Sequence, residues 1–156
     1  MKLLGKEGLD TLGSYAVLNA RYLSSVISKV IPLAYNEPCM HEFVATVKDL
    51  KKSHKIRAYD VGKALLDKGF HSPTIYFPLI IDEALMFEPT ETQTVDTLDD
   101  LAATLKSIID ELQSDDVSLE SYPKNLPVGR PNELIPAKHL TCLLYTSPSP
   151  RDLSTS

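Results

Sequence analysis

Apolar residues recur at three- and four-residue intervals near the start of the chain: Leu9, Leu12, Ala16, Ala20, Leu23, Ile27 and Val30. That spacing predicts one face of an amphipathic helix of about six turns. Pro32, with no backbone N–H to give, stops it. The period then shortens to two: Phe43, Ala45 and Val47 alternate with Glu42, Val44 and Thr46, a strand with one face more buried than the other. KDLKKSHKIR (Lys48 to Arg57) reads as a basic polar connection. YDVGKALLDKG follows as a short helix, with Asp60 capping its start and Gly69 in the left-handed position past its end. TIYFPLI and ALMFE are strand-like runs joined by a turn at IDEA, and Pro78 confines the first to an edge or a bulge. Leu98, Leu101, Leu105, Ile108 and Leu112 form the stripe of a last helix, widened by Ala102 and Ile109. Thr94 is its N-cap, and Asp96, Asp99 and Asp100 complement the dipole of its first turn. The order α, β, α, β, β, α, with three antiparallel or mixed strands covered by helices on one face, is a small α+β layer.

After Ser114 the period ends. SDDVSLESYPKNLPVGRPNELIPAKHL holds four prolines and reads as an extended tail, ordered only where it lies along something else. The expected organisation is a domain over residues 1–114 and a tail over 115–139. Residues 140–156, ending LTCLLYTSPSPRDLSTS, resemble translated sequencing-adapter sequence and are read as non-native. Their Ser/Thr/Pro-rich composition builds no core.

Charge and cysteine usage narrow the function classes. A net charge of −5 argues against non-specific nucleic-acid binding, which needs a cationic surface. Two cysteines, Cys39 and Cys142, make no disulfide framework and suit a reducing cytoplasm. MKLLGKEGLD is not a signal peptide, and Tyr15 to Tyr35 is too polar to span a bilayer.

No self-sufficient catalytic motif is present: no phosphate loop, no GxGxxG, no GxSxG and no metal-type Cys/His spacing. His41, Glu42, His71 and Glu88 are the residues a divalent metal would use, but His41 and Glu42, adjacent on a strand, point to opposite faces and do not readily share one ion, so no metal site is expected. The richest stretch is GFHSPTIYFPLIIDEALMFEPTET, Gly69 to Thr92. FHSPT follows a helix end and EPTET precedes a helix start, both places where polar groups converge on ligands. Ordinary turn chemistry explains the same residues equally well: proline for the bend, Thr and Glu at a helix start.

PCMHEFV, DVGKALLDKGFHSPTIYFPLI, ALMFEPTET and AVLNARYL occur along the chain in the family's order and spacing, and together resemble the C-terminal domain of glycine decarboxylase. That enzyme is the P-protein of the glycine cleavage system, and the likeness is to subunit 2 of its split form. It runs from about Lys2 to Pro136. The resemblance implies the small C-terminal domain of a fold-type I, aspartate-aminotransferase-like enzyme using pyridoxal phosphate. In that family glycine is decarboxylated and its aminomethyl group passes to the lipoyl arm of the H-protein. The family's Schiff-base lysine and large cofactor-binding domain lie upstream of the first motif present here. No catalytic lysine is therefore expected in this chain, which is expected to be inactive alone, and Met1 is expected to fall inside a family helix. Arg21 stands where the family usually has Asn. By the same resemblance His71, Thr74, Glu88, Thr90 and Glu91 are expected to line the substrate cleft, with His41 as a second choice. Expected partners are P-protein subunit 1, the H-protein and glycine, with no nucleic acid and no membrane. The rival expectation is a free-standing α+β regulatory or ligand-binding module without catalysis.

Overall fold

The structure is a computed structural model that describes residues 4–114, 121–127 and 129–131. The compact unit that carries the helices and strands of the described residues ends at Leu126. Of the second unit, Pro127–Ser156, residues 127 and 129–131 are described. The segment resembling adapter sequence lies outside the described residues.

Helix α1 (Gly5–Ile27) is followed by strand β1 (Phe43–Thr46) and helices α2 (Lys48–His54) and α3 (Ala58–Asp67). Strands β2 (Thr74–Ile75) and β3 (Ala84–Phe87) and helix α4 (Val95–Leu112) complete the unit. The sheet has the order β1-β3-β2, antiparallel throughout. Phe43 faces Phe87 and Ala45 faces Leu85 across the central ladder. The two phenyl rings stack with centroids 5.2 Å apart. This face, with Val47, packs on Leu23, Ile27, Val61, Leu65, Leu98, Leu105 and Ile108 from the helices. The structure is the small α+β layer that the apolar periods predict.

Two local expectations are corrected. The basic segment after β1 is not an irregular connection, because Lys48–His54 forms α2. Lys, Asp and Leu are adequate helix formers. Asp49 in the first turn and Lys51, Lys52 and His54 in the last complement the helix dipole. Lys55 in the left-handed region (φ 63°) closes it. Asp60, expected as the N-cap of the next helix, sits one turn inside it, where its carboxylate accepts the backbone N–H of Arg57 at 2.9 Å. That is the inner half of a capping box.

Other local signals hold. Gly69 has φ +87°. Thr94 caps α4, its hydroxyl accepting the Thr97 N–H at 3.3 Å. β2 is an edge strand of two residues that ends before Tyr76-Phe77-Pro78. Helix α1 buries only Ala20, Leu23 and Ile27 of its apolar stripe, while Leu9 is exposed and Leu12 and Ala16 are half-buried. Its first half therefore projects past the core of this unit.

Ser121–Leu126 lies against the helices. Tyr122 is buried, and the carboxylate of Asp67 at the end of α3 accepts the backbone N–H of Asn125 at 2.6 Å and its side-chain amide at 3.1 Å. Lys124 pairs with Glu111 of α4 at 3.0 Å.

Candidate functional site

A cleft of about 530 Å³ opens where the ends of three segments meet. One wall is Gly69–Thr74, leaving α3; another is Met86–Thr90, leaving β3; the third is the start of α4. Leu23, Phe87, Leu98 and Leu101 give it an apolar floor, and His71, Ser72, Thr74, Glu88, Thr90, Gln93 and Thr97 a polar rim.

Local chemistry sets each wall. Gly69 turns the chain sharply out of α3, and Pro73 keeps Ser72 extended. Gly62 of α3 is buried under this wall. A Cβ there would lie 2.7 Å from Ser72 Oγ and 3.3 Å from Ile75 Cγ2, so the wall sits as close to the helix as it does only because residue 62 has no side chain. The second wall is pinned from α1: the Asn19 amide donates to the carbonyls of Thr90 at 2.8 Å and Gln93 at 3.1 Å. Tyr22, one turn on, donates its hydroxyl to Asp99 at 2.8 Å, and that carboxylate raises the Tyr22 pKa above its ordinary value.

His71, Thr74, Glu88 and Thr90 thus come together in one cleft from positions separated in sequence. Glu91 is half-buried in the same loop as Thr90 and does not line the cleft. His41 does not line it either; it is exposed before β1, with Nε2 3.8 Å from Glu42 Oε2. Among the described residues no three His, Cys, Asp or Glu side chains are grouped to hold a metal ion. No helix there is long and apolar enough to cross a membrane.

His71 Nδ1 lies 2.8 Å from the carbonyl oxygen of Ser72. A carbonyl only accepts, so Nδ1 carries the proton, and in the neutral ring Nε2 is the acceptor. Sequence reasoning missed two positioning residues. Asn19 was legible only as a polar interruption in an apolar helix. Gly62 was legible only as a glycine in a helix interior, where it is costly unless something packs close.

A family model described as glycine dehydrogenase, C-terminal domain, matches residues 12–126. The chain belongs to this family. The probable glycine dehydrogenase (decarboxylating) subunit 2 of Thermotoga maritima is 44% identical over 135 residues, covering 86% of this chain and 28% of that protein. The protein of the same description from Thermosipho africanus is 47% identical over 130 residues, covering 83% and 27%. The chain thus spans little more than a quarter of the length of these relatives. Among solved structures, a glycine decarboxylase (P-protein) of the glycine cleavage system in inhibitor-bound form shares the fold, with a TM-score of 0.57 and 24% identity. That match covers 69% of this chain and 23% of the other.

Within this member of the glycine dehydrogenase family the segment AVLNARYL has two structural tasks. Asn19 and Tyr22 hold the Thr90–Gln93 loop and Asp99 from behind the cleft, and Arg21 acts elsewhere. The Arg21 Nε donates to the carbonyl of Cys39 at 2.9 Å, fixing the loop before β1.

Proposed function

We propose that this chain is the C-terminal part of a cytoplasmic glycine dehydrogenase of the glycine cleavage system, acting with pyridoxal phosphate. On this reading the complete enzyme decarboxylates glycine and passes the aminomethyl group to the lipoyl arm of the H-protein. A first subunit completes the assembly. The observation that carries the reading is the family match over residues 12–126. The cleft supports it: an apolar floor that excludes water sits beneath a rim of hydroxyl, imidazole and amide groups.

The residues lining the cleft do not fit the cofactor by themselves. They include no lysine to bond its aldehyde and no lysine or arginine for its phosphate. The Thr97 N–H at the start of α4 is already taken by Thr94. Cofactor attachment is assigned to the rest of the enzyme, and no step through it is assigned to this chain. His71, Thr74, Glu88 and Thr90 form a facing wall that shapes and dries the substrate space.

The test compares this chain with the full-length protein assembled with its first subunit. Both are incubated with pyridoxal phosphate, reduced with borohydride and weighed, and both are assayed for glycine–bicarbonate exchange. The full assembly is expected to show an adduct on one lysine and exchange activity; this chain alone shows neither. A stoichiometric adduct on a lysine of this chain, or no exchange by the assembly, refutes the reading.

A further inference from the structure

The turn between β2 and β3 carries six consecutive apolar residues, Tyr76-Phe77-Pro78-Leu79-Ile80-Ile81. Leu79 is 88% exposed, Ile80 82% and Phe77 51%. An exposed apolar run of this length is a liability unless something covers it.

The base of the turn is held firmly. Ile81 donates its N–H to the Pro78 carbonyl at 3.0 Å, closing the tip. Just below, the buried Glu83 carboxylate accepts Lys51 Nζ at 2.6 Å and the Ala58 N–H at the start of α3 at 2.8 Å. Glu83 also accepts the Val47 N–H on its carbonyl at 3.1 Å, and Thr46 donates its hydroxyl to the Asp82 carbonyl at 2.7 Å. A charge is not buried this way without cost. Here the carboxylate ties the α2 and α3 segments to the root of a turn whose tip residues, Leu79 and Ile80, stay almost fully exposed. A pre-organised tip loses little entropy when it docks.

We propose that Leu79 and Ile80 are a docking plug that seats in an apolar pocket of the polypeptide preceding this domain in the full-length protein. This rests on the reading of the chain as the C-terminal part of a longer enzyme. Nearly three quarters of each relative lies outside the matched region, which is ample to supply such a pocket. Thr74 of the cleft wall pairs with Met86 at one end of the β2–β3 hairpin and the plug closes the other end, five residues further along the chain, so the same hairpin carries both. A bilayer is disfavoured as the occupant. Asp82 and Glu83 follow the tip, and no Lys or Arg occurs between Gly69 and Leu105 to meet anionic headgroups.

The test uses the full-length protein with a photo-crosslinking benzoylphenylalanine in place of Ile80. Irradiation is expected to give one internal crosslink, to apolar residues of the preceding part. L79S/I80S is expected to lower the melting temperature by more than about 3 °C, and L79M/I80M to restore it. Crosslinks only between copies, no crosslink, or an unchanged melting temperature in L79S/I80S overturns the proposal. Glycine–bicarbonate exchange is measured on the same unmodified protein. A crosslink without exchange supports the plug and sinks only the activity; exchange without the crosslink sinks only the plug.

Discussion

Leu105 and Leu101 sit one turn apart on α4, and the structure gives them different fates. Leu105 is fully buried in the core, whereas Leu101 is half-buried and borders the cleft. Leu105→Ala removes three buried carbons, about 2.4 kcal/mol at roughly 0.8 kcal/mol per carbon. The cavity left behind adds to this, giving about 3–4 kcal/mol, within the usual range for such truncations. Leu101→Ala removes the same atoms from a half-buried place and opens onto an existing cleft, so no closed cavity forms. About half the transfer term, roughly 1 kcal/mol, is expected. Urea unfolding reads both. With a slope of about 1.5 kcal/mol per molar, the midpoint falls by about 2 M for Leu105→Ala and by about 0.7 M for Leu101→Ala. Equal losses would mean that the cleft is closed over Leu101. A loss below about 0.5 kcal/mol at Leu105, the size seen at exposed sites, would mean that the stripe is not core.

Gly62→Ala gains about 1 kcal/mol of helix propensity but drives a methyl into Ser72, and overpacking costs about 1–3 kcal/mol. Thermal unfolding is expected to show net destabilisation, reversed in the Gly62→Ala/Ser72→Ala double variant; destabilisation that persists there would refute the contact. Asn19→Ala should free the Thr90–Gln93 loop and speed hydrogen exchange in it, while exchange in α3 stays unchanged; uniform acceleration would make Asn19 an ordinary stability residue. Acid should release Ser121–Leu126. Burial pushes the Asp67 pKa up, but the amides of Asn125, Lys124 and Leu126 more than offset this and hold it low, while Tyr122 and Lys124 lower that of Glu111. Carboxylates depressed in the folded state contribute stability above their unfolded pKa, near 4, and lose it as pH falls through the folded values. Tyr122 exposure should therefore rise below about pH 4 and at higher pH in Asp67→Asn; an unchanged profile in that variant would refute the clasp. In the assembled enzyme, His71→Ala should lower glycine–bicarbonate exchange far more than melting temperature, whereas full activity per folded molecule would remove His71 from the site.

The apolar periods were enough to place α1, β1 and α4, because each buries one face against the same core and the stripe records that face, whereas α3 was marked by the Asp60 and Gly69 signals at its ends. α2 was hidden because it buries no residue, leaving only weak propensity and end charges to mark it. The two strand-like runs were legible as types but not as lengths. Thr74–Ile75 pairs, Tyr76 gives one last N–H to the Ala84 carbonyl, and the turn at Pro78 then takes the run off the sheet. The cleft was legible in part. His71, Thr74, Glu88 and Thr90 stand beside helix and strand ends, where sequence marks the break. Glu91 and His41 share that context, and only packing separates them from the lining. Asn19 and Gly62 act across long sequence separations that no local pattern encodes.

The charge of the cleft limits what its wall can do to an amino-acid substrate. A carboxylate is held by a cation or by several N–H donors. The lining offers one carboxylate, Glu88, and neither lysine nor arginine. His71 has Nδ1 committed to the Ser72 carbonyl, so its remaining nitrogen donates only when the ring is protonated. The hydroxyls of Thr90 and Thr97 each share a hydrogen bond with a neighbouring threonine, Thr92 and Thr94. On the proposed reading, a substrate carboxylate facing this wall would meet an apolar floor and neutral polar groups rather than a counter-charge, an environment that favours its loss as neutral carbon dioxide. On the same reading, a cation that holds the substrate would be supplied by the rest of the enzyme, since the lining has neither lysine nor arginine. On the proposed reading, closure of the cleft is then a condition of chemistry rather than of folding.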